Sequence, residues 1–192
     1  TFSTNASTNS ITVQMPADIV PGNLLVVWMG GNNARTANPV AGWTFIQTSI
    51  AADYAVAYRI ADGSEGSSVN FTFSGTLGLI GQAFQISGAN SSTPMGAHNT
   101  NVVTGTMGYN AGISVAGRSI VLGVIQTTNN QALNIPSGWN SIVGGASNSN
   151  SPFTFGARTV YRQVPSAGSS GSLSLAVTST DVRVSLYEII LA

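Results

Sequence analysis

Six carboxylates and one histidine are all that this 192-residue chain offers for acid–base or metal chemistry: Asp18, Asp53, Asp62, Glu65, Asp181, Glu188 and His98, with no cysteine. Zinc needs three or four ligands drawn from Cys, His, Asp and Glu, which one histidine and dispersed acids can barely supply, so a zinc centre is not expected. A histidine-based triad would have to run through His98, but no Gly-x-Ser-x-Gly elbow accompanies it, and it reads as a solvated loop residue. Two acids suffice for glycoside hydrolysis, and Asp62 and Glu65 stand close together in Ala61-Asp62-Gly63-Ser64-Glu65-Gly66. That segment reads first as a turn with solvated acids, with calcium held by Asp62, Glu65 and carbonyl oxygens as the lesser alternative. The glycine-rich stretches Met29-Gly30-Gly31-Asn32-Asn33 and Gly144-Gly145 lack the lysine of a phosphate-binding loop, because the chain has none. The expectation is a protein with no catalytic residues, no metal and no cofactor, one that binds or packs and is not an enzyme.

Charge points the same way. Only 6% of residues are charged, where about 25% is usual in soluble domains. The cations Arg35, Arg59, Arg118, Arg158, Arg162 and Arg183 are scattered and balance the acids to a formal net charge of zero. Nucleic-acid affinity comes from clustered Lys and Arg, so no nucleic-acid partner is expected. At 43% hydrophobic the chain is too apolar for a disordered segment, and its surface must be coated by uncharged Asn, Ser, Thr and Gln. Such a surface has little repulsion to keep copies apart, which suits packing in an assembly. No run approaches the roughly 20 apolar residues of a membrane-spanning helix, and the N-terminus lacks a basic-then-apolar leader, so no membrane association is expected.

What must position these residues is a set of short strands. Runs rich in β-branched and aromatic residues, separated by Gly, Asn, Pro and Ser, occur at 10–15, 23–29, 44–50, 54–60, 69–74 and 79–87, and again at 111–115, 119–127, 140–143, 153–164, 172–177 and 182–191. The two sets correspond in order. Leu24-Leu25-Val26-Val27, Gly42-Trp43, Tyr58-Arg59 and Ala83-Phe84-Gln85-Ile86 match Ile120-Val121-Leu122-Gly123, Gly138-Trp139, Tyr161-Arg162 and Leu186-Tyr187-Glu188-Ile189. The expected fold class is all-β: a two-sheet antiparallel β-sandwich, jelly-roll-like, with an internal pseudo-two-fold duplication and each half supplying strands to both sheets. Its expected organisation is an N-terminal arm 1–9 and a single sandwich 10–192, whose halves, about 10–88 and 111–192, are joined by a polar connection 89–110. The Gly-Trp pairs are expected to fill the ends of the sandwich, and each Tyr-Arg pair to turn tyrosine inward and arginine outward.

The strings Pro21-Gly22-Asn23-Leu24-Leu25-Val26-Val27, Gly42-Trp43-Thr44, Tyr58-Arg59-Ile60-Ala61-Asp62-Gly63-Ser64-Glu65, Phe71-Thr72-Phe73-Ser74 and Ile86-Ser87-Gly88 resemble a duplicated Gly-Trp β-sandwich family of tailed-phage structural proteins and bacterial surface proteins. The resemblance covers almost the whole chain and carries no active site. It implies a virion or cell-surface role, and a small stand-alone sandwich is similar to phage head-decoration, or cement, proteins. The leading expectation is therefore a capsid decoration protein on the virion surface, with the major capsid protein or itself as partner and a homo-trimer as its form. The arm residues Thr1, Phe2, Ser3, Thr4 and Asn5 are the candidate partner contacts, able to add a strand to a neighbour's sheet. The alternative is a carbohydrate-binding module of a tail fibre or adhesin, extracellular or at the cell surface, stacking a glycan on Trp28, Trp43, Tyr54, Tyr109 or Trp139.

Overall fold

The computed structural model describes residues 2–31, 35–47, 54–104, 107–127, 133–148, 155–176 and 181–192, and among them there are fourteen strands and no helix. All the strand pairs are antiparallel, and the described residues fall into two compact units, 2–91 and 92–192.

In the first unit, β1 (Phe2–Gln14), β2 (Leu24–Gly31), β3 (Thr44–Gln47), β4 (Tyr54–Ile60) and β5 (Ser68–Ile86) form a sheet in the order β1-β5-β2-β4-β3. β2 is apolar at consecutive positions because it is buried at every residue, and a strand covered on both faces has no polar side to alternate with. β5 does two tasks. Its second part, Leu79–Ile86, pairs with β2, while its first part, from Ser68 to Thr72, pairs with Gln14 to Ser10 of β1. Register shifts in β1 on either side of Thr8 bend this ribbon, as β-bulges do. The bend brings Ile11 and Val13 over Gly81, where an added Cβ would lie 3.0 Å from Val13 Cγ2. The ribbon thus becomes a second layer, and Ile11, Val13, Phe71 and Phe73 close a core with Val27, Met29, Ala55, Ala57 and Leu79. Alternation along the ribbon is strict where it matters: Ile11 and Val13 are buried, Thr12 and Gln14 exposed.

In the second unit, β6 (Met95–Thr104), β9 (Ser119–Thr127), β10 (Asn140–Asn148), β11 (Phe155–Val164) and β14 (Asp181–Ile190) form a sheet in the order β10-β11-β9-β14-β6. Two small ribbons accompany it, β7 (Met107–Asn110) with β13 (Leu173–Ala176) and β8 (Ser114–Val115) with β12 (Gly168–Ser169). Ile113, Val115, Leu173 and Leu175, on and beside these ribbons, share a core with Val121, Ile125, Val160, Val184 and Leu186 of the sheet.

Strand order and register coincide in the two units. Val26 stands opposite Tyr58 on one side and Phe84 on the other, and Leu122 stands opposite Tyr161 and Tyr187. Thr44 faces Tyr58 as Asn140 faces Tyr161. These are the residue pairs that the sequence correspondence matches.

Several expectations need correcting. Each five-stranded sheet draws its strands from one unit only, because the bent β1–β5 ribbon and the β7–β13 and β8–β12 ribbons give each unit its own second layer. The polar stretch 89–110 is not a simple connection, since it contains β6, an edge strand on β14, and β7. Its polar residues are there to make bonds: buried Asn110 donates to Val184 O at 3.1 Å and accepts from Gly112 N at 3.0 Å. The 1–9 arm is part of β1, with Phe2 to Asn5 paired to Gln82 to Leu79 of the same chain. The strand expected at 140–143 runs on to Asn148 as β10.

Candidate functional site

The Asp62–Glu65 segment is a closed clip. Glu65 is buried, with side-chain exposure of 3%, and its two oxygens accept the N–H groups of Asp62 and Gly63, each at 2.9 Å. Asp62 accepts the backbone N–H and hydroxyl of Ser64 at 2.8 and 2.5 Å. Arg59 reaches both acids, at 2.8 Å to Asp62 and 3.1 Å to Glu65. The hydrogen bonds from Ser64, with the Arg59 charge behind them, hold the Asp62 carboxyl below its ordinary value. These oxygens are therefore committed to donors inside the clip, and among the described residues no group of three or more His, Cys, Asp or Glu side chains is placed to hold a metal ion. Asp53 lies outside the described residues.

The Tyr-Arg and Gly-Trp motifs turn out to be one device. Arg59 shares the face of Ala55 and Ala57, and Arg162 that of Val160, so each arginine points to its unit's core side and not outward. Inward–outward reasoning fails because Val56 and Ala57, neighbours on opposite faces of β4, are both fully buried, as are Thr159 and Val160 of β11. Each guanidinium lies against the positive-φ glycine of the Gly-Trp turn: Arg59 Nη1 is 3.5 Å from a Cβ built on Gly42, and Arg162 Nη1 is 3.9 Å from one on Gly138. The adjoining indoles pack. Trp43 meets Phe71 edge-on at 5.6 Å, and Trp139, 5% exposed, donates from Nε1 to Ser172 O at 3.2 Å. The second unit lacks the acids of the clip, with Pro165 and Gly168 at the positions of Asp62 and Glu65.

A lateral row across each sheet explains another difference. Arg59, Leu25 and Gln85 are neighbours on adjacent strands, as are Arg162, Val121 and Glu188. Gln85 meets one donor and one acceptor, accepting from Val20 N at 2.7 Å and donating to Asp18 O at 3.4 Å. Buried Glu188 meets three donors, Ala97 N at 2.8 Å, Ala116 N at 3.1 Å and Ser119 Oγ at 2.8 Å. Three donors call for an acceptor-only group, one of each for an amide. Glu188 therefore anchors the backbone and does not pair with Arg162, and Gly96 is small because a Cβ there would lie 2.2 Å from Glu188 Oε2.

His98 is exposed, as expected, but sits on β6 opposite Tyr187, the two rings nearly parallel at 13° with centroids 6.3 Å apart. Tyr187 is fully buried, and desolvation pushes its phenol up to about 12 against weaker opposing hydrogen bonds from Ser185 and Thr100.

Among the described residues, the rings proposed for glycan stacking are not gathered on a surface. Trp28 and Trp139 are buried, Trp43 is half-buried against Phe71, Tyr109 is 45% exposed, and the Tyr54 side chain lies outside the described residues. For the arm, Thr1 lies outside them, as do the side chains of Phe2, Ser3, Thr4 and Asn5, whose backbone forms the rim of the first sheet.

Two features escaped the sequence. The edge strands of the two five-stranded sheets, β1, β3, β6 and β10, contain no Asp, Glu, Lys, Arg or Pro. A dish of about 450 Å³ lies in the second unit between Arg118, Ser119, Gln163, Val164, Pro165 and Leu191. The first was readable in the composition of each run had the strand order been known, while the second had no sequence signal. In comparisons with known proteins, no family model, no curated protein and no solved structure matches the chain.

Proposed function

We propose that the chain is a non-enzymatic virion structural protein, a capsid decoration protein that stabilises a phage head through subunit contacts. The observation that supports this most is the character of the edges. Proteins that stay monomeric blunt sheet edges with lysine, proline or inward charges. Here none of the four edges carries a charge or a proline, their blunting being confined to register shifts and the shortness of β3, and β1 presents thirteen residues, Phe2–Gln14. An edge of this kind is a template for another chain's strand. With 6% charged residues over the whole sequence, little repulsion opposes close packing. The partner in this reading is the major capsid lattice or a second copy of the chain, in a trimer.

The test is direct. Purified particles from the source of this gene should carry the protein in fixed stoichiometry, and Thr4→Lys in β1 should reduce its occupancy while leaving the isolated fold intact. A chain never found on particles, or a Thr4→Lys variant that loads as well as the parent, defeats the reading. The glycan-binding alternative retains one exposed ring among the described candidates, Tyr109, and a glycan array with Tyr109→Ala as control tests it.

A further inference from the structure

The two units differ where the chain enters the central strand of each sheet, before β2 and before β9. In the first unit this corner is closed. Gly22 N donates to Ala61 O and Ala61 N to Asn23 O, both at 2.8 Å, and Pro21 Cγ stands 3.2 Å from a Cβ built on Gly63. In the second unit the matching segments, Arg118-Ser119 and Val164-Pro165, also pair, Ser119 with Val164, and Leu191 N donates to Arg118 O at 3.1 Å, but the same residues border an open dish. Its lining combines the aliphatic Val164, Pro165 and Leu191 with the polar Ser119, Gln163 and Arg118, and no acid is among its lining residues. Arg118 is exposed and has no ion pair among the described residues, where Asp62 and Glu65 both pair with Arg59.

The first unit carries a surface of complementary chemistry. The turn Asp18-Ile19-Val20-Pro21 projects an exposed carboxylate and, at 51%, the most exposed large aliphatic side chain among the described residues. Asp18 likewise has no ion pair among the described residues, and it holds a left-handed backbone, φ 55°, that a non-glycine residue keeps only when its surroundings hold it. Those surroundings are visible: Gln85 grips Asp18 O and Val20 N from below, and Asn23 N donates to Val20 O at 3.1 Å. The turn is thus pre-ordered, which lowers the entropy cost of docking.

We infer that the Asp18–Val20 turn of one copy docks in the Arg118 dish of a second copy, Asp18 pairing with Arg118 and Val20 covering the Val164–Pro165–Leu191 floor. This rests on the reading of the chain as an assembly protein and gives it a self-contact. Turn and dish are different surfaces, so the contact is heterologous: it leaves one free turn and one free dish until the chain of copies closes into a ring.

Sedimentation over a concentration series tests this in the full chain. Asp18→Arg and Arg118→Asp should each weaken self-association tenfold or more, and the double reversal should restore it to within about threefold, since like charges facing each other are repelled and the swapped pair is not. The absence of cysteine permits a second measurement. Chains carrying only Val20→Cys, mixed with chains carrying only Pro165→Cys, should form a mixed disulfide dimer, while Val20→Cys mixed with Thr76→Cys should not. Reversals without effect, a double reversal that does not restore, or no selective cross-link overturns the contact. A chain that fails these tests yet still coats particles has lost the inference and kept the assembly reading; one that is monomeric at every concentration and absent from particles has lost both.

Discussion

Raising the pH from 10 to 12 should destabilise this protein through the buried phenol of Tyr187. Tyr187 is fully buried and its phenol is pushed up to about 12 from an ordinary 10.0. In that window the unfolded chain releases the Tyr187 proton and the folded chain keeps it. The unfolded state therefore binds fewer protons, and stability falls as pH rises. A tenfold difference in proton affinity between the two states is worth about 1.4 kcal/mol, so the climb from pH 10 to 12 removes about 2–3 kcal/mol. That is a large share of the roughly 5–15 kcal/mol that holds a domain folded. Lysine and cysteine are both absent, and burial of Arg183, which holds its guanidinium below the ordinary value, acts with the opposite sign, so the comparison with Tyr187→Phe isolates the phenol's share. Urea midpoints measured at intervals between pH 9 and 12 would give the slope. Tyr187→Phe should start lower at neutral pH through loss of the hydroxyl's hydrogen bonds, then decline less steeply, the two curves converging by about 2–3 kcal/mol. Absorbance of tyrosinate should show one of the five tyrosines ionising only together with unfolding. Parallel curves for the two proteins, or complete tyrosine ionisation in a still-folded chain, would refute the burial argument.

Other outcomes follow from the same geometry. Glu188→Gln should destabilise by about 1–3 kcal/mol in chemical denaturation, because an amide cannot accept from Ala97 N, Ala116 N and Ser119 Oγ together, whereas Gln85→Glu should be costly for the opposite reason, losing its donor to Asp18 O. Gly96→Ala should be among the most damaging single-methyl changes, driving the Glu188 carboxylate off its donors, and an unchanged melting curve would count against that packing. Gly42→Ala and Gly138→Ala should each lose about 1 kcal/mol for their positive φ, with a matching loss in both units. Glu65→Ala should lower the urea-derived stability by about 1–2 kcal/mol, because it removes the acceptor of two backbone N–H groups and a charged partner of Arg59 at one stroke.

Much of the strand pattern was legible in particular residues. The apolar run from Leu24 to Met29, the alternation of Ile11 and Val13 with polar neighbours, and the paired Gly-Trp and Tyr-Arg motifs carried the strands and the matched registers, because hydrophobic period and turn residues are local properties. The strand β6 was hidden by its composition: Gly96, His98, Asn99, Thr100 and Asn101 look like a loop, and only pairing with the apolar β14 makes them an edge. Strand propensity cannot report such a case, since an edge strand with one wet side needs few apolar residues. The Asp62–Glu65 pair was visible as a turn, but its closure by Arg59 was not, because the expected outward arginine lies on the core side of β4.

From the residues alone came the all-β class, the small number and scatter of the charges, and the strand pattern that two stretches share. The fold added that each unit completes its own core, that Arg59 is answered by Asp62 and Glu65 while Arg118 and Asp18 are left without ion pairs among the described residues, and that four of the uncharged strands are the sheet rims. The reason is physical. Periodicity records which way a side chain points from its own strand, but partnership and exposure depend on which distant segment arrives beside it. Here that is settled by one bent ribbon, one buried carboxylate with three donors, and a corner that closes in one unit and stays open in the other.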